Sequence, residues 1–213
     1  MRLSPSLLSA DFSALFEDAR RVEPLVECFH WDVMDGHFVP NLTFGPPVVN
    51  SLRPRLSRPF DVHLMIDHPL QYAPQFKVRE DDSIIFHVES DDDPSAVLDA
   101  IDAIPARAGI TLRPGTLLEE IERFLDRTAI VLVMSVEPGF GGQTFLPEAL
   151  ERIRALRTMI GDRAIRIAVD GGIHPGNVAA VIASGADTII AGSAIFAQPD
   201  PAEAIAAFRS AVE

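Results

Sequence analysis

The sequence predicts an α/β fold, a single (β/α)8 barrel of the TIM type that spans residues 1–213. Short runs rich in Val and Ile recur eight times, and each is followed by Gly, Pro or Asp and then by a segment with helical periodicity. Regular alternation of this kind requires parallel strands with right-handed crossovers, and eight units in about 200 residues is the repeat number of this barrel. A doubly wound sheet is the alternative, but it would normally show fewer strands and one dominant phosphate loop.

The elements follow from this alternation in chain order. The apolar runs place strands at residues 3–8, 29–34, 60–65, 83–88, 108–112, 130–136, 165–170 and 188–191. Helical periodicity lies between them, at residues 13–26, 47–52, 69–76, 94–103, 117–125, 147–159, 175–184 and 201–211. Several of these helices begin with Pro, whose missing N–H costs nothing in the first turn. No linker or low-complexity segment divides the chain, so we expect one domain.

The composition of the chain limits the kinds of molecule that the protein can bind. The chain is 47% hydrophobic, as in globular proteins, and carries a formal net charge of −13. Such a surface repels nucleic acid and anionic membranes, so an anionic ligand needs a locally electropositive pocket. The one cysteine, Cys28, excludes an internal disulfide and a thiolate zinc cluster. No targeting peptide is recognisable and no apolar run approaches the roughly 18 residues of a membrane span, so we expect a cytoplasmic protein.

Polar side chains alternate along the second and third strands. His30 and Asp32 share one face of the second strand, His63 projects from the third, and Asp170 ends the seventh. Two imidazoles and two carboxylates around one point would form a divalent metal site suited to zinc, iron, manganese or cobalt. A lone histidine is more often a buried core residue, but two adjacent strands with this pattern favour the metal site. The role of Asp61, on the same face as His63, stays open.

Three methionines lie at or near the same strand ends. Met34 and Met65 follow the polar residues of the second and third strands, and Met134 lies in the sixth. Filling of irregular core space explains them as well as any functional role does. The alternative is an apolar, polarizable cap that excludes water above an anionic intermediate.

Glycine-rich loops follow the last three strands, at residues 138–145, 170–173 and 191–196, and hold six of the thirteen glycines. Such loops expose backbone N–H groups, and a short helix beginning near Ser193 would point its N-terminus at the same place. Barrels bind phosphate at this position, so we predict a phosphate site. The only lysine, Lys77, lies away from the carboxyl ends of the strands, which argues against Schiff-base chemistry.

The motifs S-P-S-L-L-S-A-D-F, H-W-D-V-M-D-G-H-F-V-P-N, D-V-H-L-M, P-G-F-G-G-Q-T-F, V-D-G-G-I and A-G-S-A-I-F together closely resemble the ribulose-phosphate 3-epimerase family. The resemblance implies a TIM barrel of the ribulose-phosphate-binding type that holds one divalent metal ion on His30, Asp32, His63 and Asp170. It implies that Asp32 and Asp170 are the catalytic acid and base. It also implies substrate contacts from Ser6, His63, Gly139, Phe140, Gly141, Gly142, Gly171, Gly172, Gly192 and Ser193.

The activity implied by the resemblance is that of an isomerase of carbohydrate metabolism, in the pentose phosphate pathway. It would interconvert D-ribulose 5-phosphate and D-xylulose 5-phosphate by removing and returning the C3 proton through an enediolate. Alternatives are an epimerase of a six-carbon ketose phosphate such as allulose 6-phosphate, a metal-assisted sugar-phosphate lyase, and a phosphate- and metal-binding protein without catalysis. For an epimerase of either five-carbon or six-carbon sugars, the expected partner is a small-molecule ketose phosphate. Assembly into a homo-oligomer is left open.

Overall fold

The computed structural model describes all residues from 1 to 213 and contains one eight-stranded, fully parallel sheet. The strands follow the order β1-β8-β7-β6-β5-β4-β3-β2, so each lies beside its neighbour in sequence and β1 returns to β8. Their bounds are Arg2–Pro5 (β1), Phe29–Met34 (β2), Phe60–Met65 (β3), Ser83–His87 (β4), Arg107–Leu112 (β5), Ile130–Met134 (β6), Arg166–Asp170 (β7) and Thr188–Ala191 (β8). This confirms the predicted (β/α)8 barrel.

The barrel closes between β1 and β2 through few contacts. Only one bridge, between Ser6 and His30, joins these strands directly. The N–H of Glu27 donates to the carbonyl of Leu3 at 3.2 Å, and the Glu27 carboxylate accepts from the N–H of Leu3 at 2.7 Å. A side chain therefore replaces part of the backbone ladder at this seam.

Helices surround the sheet, and several are shorter than their sequence patterns predict. They are Leu15–Val22 (α1), Pro46–Leu52 (α2), Pro69–Tyr72 (α3), Pro94–Asp102 (α4), Glu119–Glu122 (α5), Ala149–Ile160 (α6), Val178–Ala183 (α7), Ser193–Phe196 (α8) and Pro201–Ser210 (α9). Short 3-10 turns take up residues that we assigned to longer helices, such as Glu23–Leu25 after α1 and Leu125, which begins the turn Leu125–Arg127 after α5. None of the helices has the length and apolar character that crossing a membrane requires.

The first strand ends earlier than predicted. We expected it to reach residue 8, but it stops at Pro5 and the chain turns into a 3-10 helix at Leu7–Ser9. Ser6 initiates this turn because its hydroxyl oxygen accepts a hydrogen bond from the N–H of Leu8 at 3.3 Å. The early turn leaves the Ser6 side chain at the carboxyl end of the barrel.

One acidic residue before β4 is buried although its local sequence is polar. Asp82 follows Glu80 and Asp81, a run typical of a solvated loop, but it is fully buried. It accepts from Arg53 Nη1 at 2.8 Å, from the N–H of Phe60 at 2.7 Å and from the N–H of Arg79 at 2.8 Å. A buried carboxylate requires such partners, and none of them is recognisable from the local run of acidic residues.

Candidate active site

Four titratable side chains meet inside the carboxyl end of the barrel. His30 and Asp32 lie on β2 and His63 on β3, where the register places Asp32 directly beside His63. Asp170 ends β7, across the barrel mouth. One ligand atom from each of the four residues lies within 4.8 Å of the others. The alternation of β2 and β3 turns the three neighbouring residues inward, and closure of the barrel brings Asp170 to them.

Three of these atoms form a nearly equilateral triangle. His30 Nε2 lies 3.3 Å from His63 Nδ1, and Asp32 Oδ1 lies 3.3 Å from His30 Nε2 and 3.2 Å from His63 Nδ1. A tetrahedral ion with ligand bonds of about 2.0 Å requires edges of about 3.3 Å. The donor set and its spacing therefore fit a divalent ion of the zinc, iron, manganese or cobalt type.

The second carboxylate oxygen of Asp32 has a separate partner. The Ser6 hydroxyl donates to Asp32 Oδ2 at 2.5 Å. One oxygen of Asp32 thus faces the histidines, while the other is oriented by the turn that follows β1. Ser6 and Asp32 both line the cavity above the four residues.

The two aspartates differ in their electrostatic surroundings. Burial raises the pKa of Asp32, but His30 and His63 outweigh it and hold this pKa well below its usual range. Burial raises the pKa of Asp170 to about 7, and the nearby Asp32 carboxylate adds to the increase. Burial opposes a charge on His30, but Asp32 raises the pKa of this imidazole to about 9. Burial lowers the pKa of His63 to about 3.

A chain of hydrogen bonds fixes the tautomer of His63. His87, at the end of β4, lies with its Nε2 2.9 Å from His63 Nε2 and its Nδ1 3.2 Å from Glu89 Oε2. Burial raises the pKa of Glu89, but bonds from His87 and other donors outweigh it and bring the pKa to about 2. The ionised Glu89 can only accept, so His87 donates from Nδ1 and accepts at Nε2. His63 consequently donates from Nε2, and its Nδ1 presents a lone pair to Asp32 and His30.

A cavity of about 360 Å³ opens directly above these residues. Its floor includes Asp32 and Asp170, and its walls include Met34, Met65 and Met134, all three of which are nearly fully buried. The glycine-rich loops after β6, β7 and β8 form the other side. A small polar molecule in this cavity would contact both carboxylates, the apolar methionine side chains and the loop backbones.

The glycine loops offer free backbone donors. The N–H groups of Gly142, Gly172, Gly192 and Ser193 donate to no protein acceptor. Gly172 adopts φ +63°, and a Cβ there would overlap the backbone of Phe145. At Gly192 a Cβ would lie 2.5 Å from Ser9 Oγ. Gly172 therefore requires glycine, whereas a side chain at Gly192 would need Ser9 to move. The resulting cluster of N–H groups can bind an anion in an otherwise acidic protein.

Comparison with known proteins identifies the group to which the chain is related. Residues 2–196 match the model of the ribulose-phosphate 3 epimerase family. The chain belongs to this family. Ribulose-phosphate 3-epimerase from Mycobacterium tuberculosis (strain H37Rv) is 46% identical over 209 residues, which cover 97% of this chain and 91% of the relative. The Escherichia coli K12 protein of the same name is 41% identical over 212 residues, 98% of this chain and 94% of the relative.

Solved structures agree with the family at the level of the fold. A 3-hexulose-6-phosphate synthase superposes with a TM-score of 0.73 at 17% identity and covers 100% of both chains. Orotidine 5'-phosphate decarboxylase from Pyrococcus horikoshii superposes with a TM-score of 0.69 at 16% identity, covering 99% of this chain and 98% of the other. Identity this low carries no statement about chemistry, so these likenesses support the barrel alone.

The structure brings together nearly all of the residues singled out from the family motifs. The predicted contact residues that line the cavity are Ser6, Gly139, Phe140, Gly141, Gly142, Gly171, Gly172, Gly192 and Ser193, together with the two aspartates and three methionines. His30 and His63 do not line it, because they are fully buried beneath Asp32. A direct contact between His63 and the substrate therefore stays a prediction.

Some site residues were not recognised in the sequence. The sequence motifs assign no role to His87 or Glu89, although both support His63. Ser9 and Gln143 also line the cavity. The spacing His87-x-Glu89 at the end of β4 repeats the His30-x-Asp32 spacing of β2 and is the one signal that could have indicated these two residues.

Proposed function

We propose that the protein is a metal-dependent ribulose-phosphate 3-epimerase that interconverts D-ribulose 5-phosphate and D-xylulose 5-phosphate. Family membership supports the reaction, and one feature of the site supports the mechanism. Asp32 and Asp170 come from opposite sides of the barrel mouth and line the same cavity. Inversion at a carbon atom requires one proton-transfer group on each face of that carbon, and these two carboxyls satisfy the requirement.

We propose that residues 1–213 form a single catalytic domain.

Asp32 and Asp170 would transfer the C3 proton. In one direction, Asp32 removes this proton and Asp170 delivers a proton to the opposite face, and in the reverse direction the roles exchange. The hydroxyl of Ser6 orients Asp32 Oδ2 for this task. The three cavity methionines exclude water from the carbanionic centre, which strengthens the electrostatic interactions within the site.

A divalent ion would be held by His30 Nε2, Asp32 Oδ1, His63 Nδ1 and Asp170. When bound, such an ion supplies positive charge that stabilises the enediolate and so makes the proton next to the ketone acidic enough to leave. Glu89 and His87 keep the Nδ1 lone pair of His63 directed at this position. The phosphate of the substrate would accept hydrogen bonds from the free N–H groups of Gly142, Gly172, Gly192 and Ser193, which fixes C3 between the aspartates.

Exchange with solvent tests the proposal directly. Ribulose 5-phosphate incubated in D2O with the metal-loaded protein should gain deuterium at C3 and yield xylulose 5-phosphate. Asp32→Asn and Asp170→Asn should each lower turnover by about 10²- to 10⁴-fold, the contribution typical of a positioned acid or base. Asp91→Asn is the matched control, because Asp91 is exposed near the same end of the barrel and should leave turnover unchanged.

Each other outcome has a defined meaning. Near-normal turnover in either active-site variant would contradict the two-aspartate mechanism. Substrate binding without exchange at C3 would contradict catalysis, and cleavage of a carbon–carbon bond would identify a lyase. Faster turnover of allulose 6-phosphate than of ribulose 5-phosphate would assign the protein to a six-carbon substrate.

A further inference from the structure

A second cavity lies at the opposite end of the barrel, where the strands begin. It is an open depression of about 610 Å³ that is lined by Arg2, Arg157, Arg163, Arg166 and Asp187, together with apolar residues. We call this depression the floor pocket. Its apolar lining residues are Met1, Ala164, Ile165, Ile182 and Ala186. Four arginines against one aspartate are unexpected in a chain with 31 acidic and 18 basic residues. The floor pocket is therefore a local region of positive charge on an acidic protein.

Two of the four arginines are already paired. Arg157 Nη2 lies 2.5 Å from Asp187 Oδ2 and 2.6 Å from the carbonyl oxygen of Gly185. Arg163 Nε lies 2.6 Å from Asp126 Oδ1. The only acidic residue that lines the pocket is thus used by Arg157, and it also accepts from the N–H of Ile167 at 2.8 Å. The charges of Arg2 and Arg166 are left without a carboxylate partner.

Arg2 and Arg166 present unused donors to the floor of the barrel. They start β1 and β7, the two strands that flank β8, and both side chains are partly buried. The only hydrogen bond from either guanidinium to the protein is a long one of 3.5 Å from Arg166 Nη2 to Ser83 Oγ. Arg2 Nε and Arg166 Nη1 are buried without an acceptor.

Other polar side chains without a hydrogen-bond partner are buried on the strands next to the pocket. The hydroxyl oxygens of Ser4 and Thr188 are buried without a partner on β1 and β8. The register pairs Arg2 with Thr188 across these two strands. Asp61, on β3, is also buried near this end of the barrel, and its Oδ2 has no hydrogen-bond partner. No ion pair connects it to Arg2 or Arg166. The two guanidinium charges of Arg2 and Arg166 therefore exceed the single carboxylate charge of Asp61, while the two hydroxyls can either donate or accept.

We propose that the floor pocket binds a small phosphate-bearing anion through Arg2 and Arg166. The planar guanidinium fork matches the geometry of phosphate oxygens, and the two guanidinium charges exceed the one carboxylate charge of Asp61, so the site favours an anion. The site is separate from the glycine loops, which lie at the carboxyl end of the strands. Since the anion would connect β1 and β7 across β8, its binding should stabilise the folded barrel.

Arginine side-chain NMR tests this site on the intact, metal-loaded protein. The Nε–Hε resonances are followed while inorganic phosphate, and in a separate titration glycerol 2-phosphate, is added. The resonances of Arg2 and Arg166, assigned with the single variants Arg2→Gln and Arg166→Gln, should shift and saturate. Arg154 is exposed and its side chain makes no hydrogen bond, so its resonance is the internal control.

The Arg2→Gln/Arg166→Gln variant should bind at this site at least about tenfold more weakly, as expected from loss of charge-assisted bonds, while its turnover is unchanged. Equal binding of both probes assigns free phosphate as a sufficient ligand, and preference for the monoester assigns a phosphorylated metabolite. The proposal is overturned if the Arg2 and Arg166 resonances do not shift, or if chloride at equal ionic strength shifts them as much. The wild-type titration decides this even if the variant does not fold.

Discussion

The tautomer of His63, in the proposed metal site, depends on a carboxylate that contacts none of the four residues of that site. Glu89 accepts the Nδ1 proton of His87, and His87 in turn accepts from His63. Reversal of this chain would place a proton on His63 Nδ1, between the ligand atoms of His30 and Asp32. Residues that orient a ligand in this way commonly change metal affinity by about 10- to 100-fold when they are altered.

Glu89→Gln should therefore weaken binding of the divalent ion by about 10- to 100-fold. Glu89 Oε1 also accepts from the N–H of Arg113 at 2.7 Å, so the single oxygen of a glutamine would remain with that N–H. The glutamine NH2 group would then face His87 Nδ1 and reverse the donor order. Competition with a chromophoric chelator measures the affinity.

Glu122→Gln is the control for this experiment, because Glu122 is exposed on α5. It should bind the ion as the wild type does. Equal affinities of the Glu89→Gln variant and the wild type would contradict the proposed tautomer of His63.

At the scale of elements, the loops after β2 and β3 are joined by one carboxylate. Asp35 Oδ1 accepts from the N–H groups of His37 and Phe38 at 2.8 and 2.9 Å, and its Oδ2 accepts from the N–H of Asp67 at 2.8 Å. The same loop reaches the glycine loop after β6, since Asn41 Nδ2 donates to the carbonyl oxygen of Gly139 at 2.7 Å. Asp35 thus holds the backbone that supports one wall of the cavity.

Stability at acidic pH should reveal this role. Burial raises the pKa of Asp35, but the three N–H bonds outweigh it and hold the pKa below its ordinary value of 3.8. A lowered folded-state pKa gives stability that is present above pH 3.8 and is lost as the pH falls below it. Asp35→Asn should lower the free energy of unfolding near pH 7 by about 2 kcal/mol and make it less dependent on pH in the acid range.

Urea unfolding at a series of pH values measures both effects. Asp162→Asn is a suitable comparison, because this residue is exposed beyond α6 and its replacement should leave the curve unchanged. An Asp35→Asn curve parallel to that of the wild type at acidic pH would show that the three N–H bonds do not stabilise the ionised carboxylate.

At the scale of the whole molecule, one side chain connects the barrel seam to both ends of the chain. Glu27 accepts from the N–H of Leu3 at 2.7 Å, and both of its oxygens lie 2.8 Å from Arg209 Nη2 on α9. Arg209 also donates to the carbonyl oxygen of Met1 at 3.0 Å. The last helix is therefore tied to the strands that close the barrel.

Glu27→Ala should lower the free energy of unfolding by about 2 kcal/mol, because the seam loses a charge-assisted bond. Combined with Arg209→Ala in a double-mutant cycle, it should show a coupling energy of at least about 0.5 kcal/mol. Denaturant unfolding of the four proteins provides both numbers. Strict additivity of the two substitutions would mean that α9 does not contribute to closure through this pair.

Much of the active site was predictable because its signals are local. Alternation along six residues was enough to turn His30 and Asp32 to one face of β2, and glycine-rich segments marked the loops after β6, β7 and β8. Element ends were predicted less well. Leu7 and Leu8 extend the apolar run of β1, so the sequence pattern did not show that the chain turns at Ser6. The 3-10 turns after α1 and α5 contain residues that also suit a helix.

The sequence alone determined the number of β/α units, the inward faces of β2 and β3 and the family, because each depends on the order of nearby residues. Only the tertiary structure decided which distant groups meet. Asp170 lies close to Asp32, and Asp82 pairs with Arg53. Glu89 orients His63 through His87. Arg2 and Arg166 line the same pocket, and neither forms an ion pair with a carboxylate. These relations depend on strand register and on closure of the barrel, which set distances between residues that are far apart in the chain.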